Sequence, residues 1–228
     1  MKESKSNNII VLDIDETLAH TVTDINSWYN LNIYNDPKKI DLRDRVYFLD
    51  IITDRNEGLS TSMWGIKRPN LEEFLNFCFE YFKLVIVWSA GTYEYVHTIV
   101  PELFKNTYEP HFILTRDNCI EQNGKYTKPF YKLLNDIPEL YPYLNIESTT
   151  NGQIYGFKNV IIIDDRSHSF YNDPNNGILI PLYEPSPEVN NIRQNETSFN
   201  KIMEYLKKNV DKDDIRKLDK KEIFKYIM

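Results

Sequence analysis

Asp13 and Asp15 stand two residues apart at the end of an apolar run, Ile9-Ile10-Val11-Leu12. On extended backbone, residues at that spacing project to one side. Two carboxylates on one side repel, so the pair calls for a cation or a shared proton. A second apolar run, Val160-Ile161-Ile162-Ile163, ends in Asp164-Asp165. Set against the first pair, these acids make an oxygen-rich site suited to Mg2+, which prefers oxygen ligands and binds one or two carboxylates together with substrate phosphate. Ser89 directly follows the run Leu84-Val85-Ile86-Val87-Trp88, and its hydroxyl can donate to a phosphate oxygen. Lys128, in Gly124-Lys125-Tyr126-Thr127-Lys128-Pro129, can neutralise phosphoryl charge. Each has a plainer alternative when taken singly. Asp13 and the Asp164-Asp165 pair could cap a helix or shape a turn, and Ser89 could satisfy a helix N-terminus. Lys128, with Lys125 and Lys132 nearby, could be a solvated lysine.

The elements that must position these groups follow from periodicity. Short, β-branched apolar runs at Ile9–Leu12, Leu84–Trp88, Phe112–Leu114, Val160–Ile163 and Gly177–Ile180 read as strands. Between them, Leu71, Phe74, Leu75, Cys78 and Phe82 recur at helical spacing. Pro69 stands just before Asn70, which begins that helix, and Glu73 takes the capping-box position. A second helix runs from about Tyr93 to Phe104, and Pro129 opens a short one carrying Phe130, Leu133 and Leu134. Strands alternating with helices predict an α/β fold: a doubly wound, mostly parallel sheet. The acids then lie at strand carboxyl ends, where open sheets of this kind bind ligands.

Between the first strand and the first long helix, a stretch at about 24–66 breaks the alternation. Residues 45–52 are rich in strand formers, 54–58 form a turn cluster, and Ser62–Lys67 returns. This predicts a small β-hairpin insertion after the first strand. Asn123-Gly124 marks another turn. Beyond the Pro-rich stretch 181–187, residues 199–206 and 215–227 read as lysine-rich surface helices. The expected organisation is a core over 1–185, with the insertion, followed by a C-terminal helical extension over 186–228.

The chain has 228 residues, 41% of them hydrophobic, enough for one substantial core. A net charge of −7 makes a broad nucleic-acid surface unlikely. Cys78 and Cys119 are too few for a disulfide framework, and Cys78 on the apolar helix face reads as a buried free thiol. The polar first eight residues lack the core of a signal peptide, and no apolar run approaches a membrane span. A soluble intracellular protein of cytoplasm or nucleus, without a membrane partner, is expected. The oligomeric state is left open.

The segment Asp13-Ile14-Asp15-Glu16-Thr17-Leu18 resembles the first motif of the haloacid dehalogenase superfamily, in its Asp-x-Asp-x-Thr phosphotransferase form. The order Asp-x-Asp-x-Thr, strand-Ser, Lys, strand-Asp-Asp is similar to the four superfamily motifs in sequence. A narrower resemblance covers roughly residues 8–185. Asp13–His20, Lys67-Arg68-Pro69, Trp88-Ser89-Ala90-Gly91, Gly124–Lys128 and Ile163-Asp164-Asp165-Arg166-Ser167 resemble the RNA polymerase II C-terminal-domain phosphatases, also called NLI-interacting-factor-like phosphatases. The resemblance implies a Rossmann-like core and an Mg2+-dependent phosphatase acting on phosphoserine or phosphothreonine in proteins. It implies Asp13 as nucleophile forming an aspartyl-phosphate, and Asp15 as acid and base. Ser89 and Lys128 would hold the phosphoryl oxygens. The metal would be held by Asp13, the Asp15 backbone carbonyl and Asp165, with Asp164 nearby. Thr17 would order the loop. This chain departs from the family in carrying Ser89 where Thr is usual, and residues 21–66 offer no residue match. A small-molecule or polynucleotide-end phosphatase is the alternative enzyme. A catalytically inactive binding module is the alternative from another class, against which the intact acids and Lys128 weigh.

Overall fold

The computed structural model describes residues 4–54, 59–150 and 153–225. The first strand, β1 (Ile9–Leu12), is followed by β2 (Ala19–Val22), helix α1 (Ile25–Leu31), β3 (Val46–Asp54) and β4 (Leu59–Lys67). Next come α2 (Leu71–Tyr81), β5 (Leu84–Trp88), α3 (Tyr93–Phe104), β6 (Phe112–Leu114) and the short strands β7 (Ile120–Gln122) and β8 (Lys125–Thr127). The chain continues through α4 (Tyr131–Asp136), β9 (Ile146–Thr150), β10 (Gln153–Phe157), β11 (Val160–Asp164) and β12 (Gly177–Leu179) to α5 (Val189–Arg193) and α6 (Ser198–Asn209).

Five strands make the central sheet, in the order β12-β11-β1-β5-β6, and every pairing in it is parallel. β1 sits in the middle, with Val11 beside both Ile162 and Ile86. Its alternate residues feed two cores, as a sheet covered on both faces requires. Ile10 and Leu12 pack with residues of α2, α3 and α6, while Ile9 and Val11 pack with Leu133 of α4, Phe157 and Phe170. The expected doubly wound parallel sheet is therefore present.

The expected hairpin is β3 with β4, but it belongs to a three-stranded antiparallel sheet, β2-β4-β3. β2 carries no alternating pattern, since Ala19-His20-Thr21-Val22 is a strand only because β4 pairs with it. The turn cluster at 55–58 lies outside the described residues. The Asn123-Gly124 turn joins β7 to β8, with φ of 52° and 71°; Gly124 takes this left-handed backbone without a Cβ penalty.

Two local expectations are corrected, and one helix is unforeseen. The helix at Asn70 has no capping box, because Asn70 itself is left-handed, with φ 63°, and makes no side-chain cap bond. α1 was not legible as a helix; Asp24 caps it by accepting from the Asn26 N–H. α6 lies at the surface, as expected, with Asn200, Glu204, Lys207 and Lys208 exposed, but its other face is deeply buried. Phe199, Ile202, Met203 and Leu206 enter the same core as α2, and the Phe199 ring stacks on Phe74 with centroids 4.1 Å apart. Beyond it, Ile215–Lys217 and Lys220–Phe224 are single 3-10 turns, not an α-helix.

Candidate active site

β1 and β11 run parallel in register, Leu12 beside Ile163, so Asp13 and Asp164 emerge as neighbours at the carboxyl end. Asp13 continues the ladder by donating its N–H to the Ile163 carbonyl at 3.1 Å. Lys128 arrives from the far end of the β7–β8 hairpin, anchored by its own N–H on the Ser169 carbonyl at 2.6 Å. Its ammonium lies 2.5 Å from Asp13 Oδ1 and 2.7 Å from Asp164 Oδ2, and the side chain is 1% exposed. This is a buried three-member charge cluster with one cation and two anions.

The remaining oxygens have different fates. Asp164 Oδ1 accepts from the Arg166 N–H at 2.8 Å and from Ser169 Oγ at 2.9 Å, so both Asp164 oxygens are committed. Asp165 Oδ1 is buried with no hydrogen-bond donor, and its Oδ2 lies 3.6 Å from Arg166 Nε. Ligand atoms of Asp13, Asp164 and Asp165 all fall within 4.8 Å of one another. An orphaned carboxylate oxygen among carboxylates fits a hard, oxygen-seeking cation such as Mg2+. The donor set passes that test with Asp165 Oδ1 as the oxygen most in need of a partner.

Asp15 faces another way. Its Oδ1 accepts from the Tyr95 hydroxyl and its Oδ2 from Ser89 Oγ at 3.4 Å. The Asp15 side chain is thus outside the three-acid group, and its expected part in holding a metal was through the backbone carbonyl alone. Ser89, fully buried, also accepts the Gly91 N–H at 2.9 Å, so one hydroxyl joins Asp15 to the loop after β5.

These placements set the charges. Burial pushes the Asp13 carboxyl well up, the Asp164 charge adds to it, and Lys128 opposes both. Asp15 is raised by burial, with the Tyr95 hydrogen bond working against the rise. Asp165 is raised to about 6 by burial and by Asp164. Burial disfavours the Lys128 ammonium, but Asp13 and Asp164 outweigh it and hold the group above the ordinary lysine value.

The loop between Asp15 and β2 is braced from several sides. Glu16 holds φ 56°, a left-handed backbone that costs a non-glycine residue about 1 kcal/mol or more. Its carbonyl accepts from Arg68 Nη2 at 3.1 Å and from the Tyr183 N–H at 3.0 Å. Arg68 is buried between the Tyr183 and Phe199 rings and also donates to the Pro181 carbonyl. Thr17 Oγ1 accepts the Asp165 N–H at 3.1 Å, tying the two acidic loops together. A cleft of about 880 Å³ opens instead near the amino ends of the strands, beside Asn8, Lys83 and Asn159. It holds none of these groups.

The family model of the NLI interacting factor-like phosphatases matches residues 8–216. The chain belongs to that family. Among curated relatives, it is 26% identical over 205 residues to the Ubiquitin-like domain-containing CTD phosphatase 1 of Xenopus tropicalis, covering 88% of this chain and 59% of that protein. A Probable C-terminal domain small phosphatase of Dictyostelium discoideum is 24% identical over 187 residues, covering 81% of this chain and 52% of that one. The chain therefore spans little more than half the length of these relatives. Among solved structures, Fcp1, an essential RNA polymerase II CTD phosphatase, superposes with a TM-score of 0.57 at 19% identity. That match covers 78% of this chain and 42% of the other. A fission yeast Fcp1 variant bound to beryllium fluoride gives 0.55 with the same coverage. At this identity the likeness is one of fold alone: a Rossmann-like α/β core.

The five segments that carried the resemblance to NLI interacting factor-like phosphatases converge on one end of the sheet. Asp13, Lys128 and Asp164 meet directly, Asp15 and Ser89 meet each other, and Arg68 holds the loop between them. Tyr95 was not singled out from the sequence. It lies 80 residues beyond Asp15, and only the packing of α3 against the insertion brings the two together.

Proposed function

We propose that this chain is an Mg2+-dependent phosphatase acting through an aspartyl-phosphate on Asp13, with phosphoserine or phosphothreonine in proteins as its substrate class. The observation that carries this reading is the buried Asp13–Lys128–Asp164 cluster with the orphaned Asp165 oxygen beside it. One ammonium shared by two buried carboxylates leaves net negative charge, which a divalent cation beside the orphaned Asp165 oxygen would offset before a phosphate is received. Lys128 holds Asp13 Oδ1, which leaves Oδ2 to attack phosphorus in line. The same ammonium, with Ser89, receives the phosphoryl oxygens. Asp15 protonates the departing alcohol and then takes a proton from the hydrolytic water. Asp13, Asp165 and the Asp15 carbonyl would hold Mg2+, whose charge would offset the repulsion between nucleophile and phosphate. Asp164, with both oxygens already engaged, orients Lys128 and stands near the metal.

The division into a core over 1–185, an insertion at about 24–66 and a following stretch over 186–228 is part of this proposal. In it, the last stretch buttresses the catalytic loop through Phe199 and Glu196, which flank Arg68. A location in cytoplasm or nucleus goes with this reading; among the described residues, no helix is long and apolar enough to cross a membrane.

The test is turnover of an aryl phosphate with Mg2+ and with EDTA, followed by a panel of phosphopeptides and phosphorylated metabolites. Mg2+-dependent turnover that Asp13→Asn abolishes, with phosphopeptides preferred, is the expected result. Turnover that survives Asp13→Asn in contaminant-free protein would overturn the assignment.

A further inference from the structure

A continuous line of hydroxyls runs from the insertion sheet to Asp15. Thr21 Oγ1 lies 2.7 Å from the Tyr95 hydroxyl and 3.0 Å from the Tyr47 hydroxyl, and Tyr95 reaches Asp15 Oδ1. Thr21 is on β2, Tyr47 on β3 and Tyr95 on α3, so three separate elements supply one line. Thr21 and Tyr47 both sit beside Gly65 of β4, in a single row across the sheet. The Tyr47 ring crosses that row over Gly65. A Cβ at Gly65 would stand 2.2 Å from Tyr47 Cζ, so only glycine leaves the path open.

The hydrogens in this line have one consistent order. Each hydroxyl has a single hydrogen to give. Tyr95 gives its hydrogen to Asp15 Oδ1, so Thr21 must donate to Tyr95, and Tyr47 must donate to Thr21. Donors arranged head to tail strengthen one another where water is excluded. The line therefore ends as a strong donor on Oδ1. That oxygen is held by the end of the line, whereas Oδ2 has only the long 3.4 Å contact from Ser89 Oγ and is the oxygen better placed to carry a transferable proton.

We propose that Tyr95 is a positioning residue for Asp15, and that the Tyr47–Thr21–Tyr95 line holds the carboxyl so that Oδ2 delivers the proton to the leaving alcohol. The insertion sheet is thereby wired to the acid and not only placed beside it. Movement of β2 against β3 breaks the line at Thr21 and frees the Asp15 carboxyl to rotate. This proposal rests on the reading of Asp15 as the acid of a phosphatase.

The experiment compares kcat/KM for two substrates, dinitrophenyl phosphate and phenyl phosphate, with wild type, Tyr95→Phe, Thr21→Val and Thr21→Ser. A good leaving group needs little proton assistance and a poor one needs much. Tyr95→Phe should lower kcat/KM for phenyl phosphate about tenfold and for dinitrophenyl phosphate less than about twofold, since a misaimed acid keeps only part of its effect. Thr21→Val should do the same more weakly, and Thr21→Ser should restore wild-type values. Equal losses on both substrates in folded Tyr95→Phe, or no effect of folded Thr21→Val, overturn the proposal while the phosphatase reading stands. Should Tyr95→Phe fail to fold, the Thr21 pair decides by the same criterion. Absence of turnover by wild type on either substrate removes the phosphatase reading and this proposal together.

Discussion

Lys128 and Asp13 form a contact of 2.5 Å between groups that are both buried, and the pair is not balanced, because Asp164 shares the same ammonium. Removing the cation and removing one anion should therefore have opposite consequences. Lys128→Met leaves two carboxylates facing each other without a counter-charge, a change that typically costs about 3 kcal/mol or more. Asp13→Asn leaves one cation with one anion. Thermal or urea unfolding of the metal-free proteins should show Lys128→Met clearly destabilised and Asp13→Asn at least as stable as wild type. Both should lose turnover. Destabilisation of Asp13→Asn by as much as Lys128→Met would mean that Asp13 serves the fold and not the reaction.

The acids of this site were legible because each ends a β-branched run, and a parallel sheet aligns such ends. Asp13 and Asp164 needed no further signal than Ile9–Leu12 and Val160–Ile163. The fold class followed from the same runs. What stayed hidden depended on partners remote in sequence. Ala19–Val22 is a strand because β4 lies beside it, and Tyr95 matters because α3 packs on β3. The depth of Phe199 was hidden because Ser198–Asn209 carries many polar residues on its other face; its stacking on Phe74 is a tertiary fact. Asn70 misled for a local reason, since a residue suited to capping also tolerates the left-handed backbone it adopts. The division of labour among the acids was equally hidden. Spacing puts Asp164 and Asp165 together, but only Ser169, Arg166 and Lys128 show that Asp164 is saturated while Asp165 is not.

Asp165 offers a pH test that needs no turnover. Its carboxyl titrates at about 6 in the fold, against an ordinary value of 3.8, because burial and Asp164 disfavour its charge. The native state then binds the proton more tightly than the unfolded chain. Protonated Asp165 costs nothing below about pH 4, and the full penalty is present above about pH 6. In EDTA, Asp165→Asn should raise the Tm at pH 7, and the gain should shrink to nothing as the pH falls towards 4. Added Mg2+ should raise the Tm of wild type and leave that of Asp165→Asn nearly unchanged. A gain that is the same at pH 4 and pH 7 would trace the effect to packing and not to charge.

Phe199 tests the part played by the stretch after residue 186. Its ring is fully buried, stacks on Phe74 and lies 5.5 Å from the Arg68 guanidinium. Phe199→Ala should cost about 3–5 kcal/mol of stability by removing the ring and leaving a cavity. Phe199→Leu should keep most of the fold. If this helix buttresses the catalytic loop, Phe199→Leu should also lower aryl phosphate turnover severalfold at a temperature where the protein is fully folded. Wild-type turnover in that variant would confine α6 to a role in stability.

The insertion is expected to set substrate choice. Trp28 lies at the centre of an aromatic group, with ring centroids 5.7 Å from Tyr34 and 5.9 Å from both Phe48 and Trp64. Trp64 is fully buried and fixed by its indole N–H on Ser27 Oγ, so its role is structural. Tyr34 and Phe48 are different: 55% and 41% exposed, they present ring surface to solvent. Tyr47, next to Phe48, points to the opposite face and enters the hydroxyl line to Asp15, so in the proposed reading one strand would serve both binding and chemistry. Tyr34→Ala with Phe48→Ala should raise KM for a phosphopeptide whose proline or aromatic residue flanks the phosphate, by roughly tenfold if about 1.4 kcal/mol of contact is lost. Turnover of a small aryl phosphate should stay within about twofold, because that substrate never touches the rings and the chemical step is unaltered. Parallel loss on both substrates in a folded variant would place these rings in the stability of the insertion, and an unchanged KM on every flanked phosphopeptide would remove them from recognition.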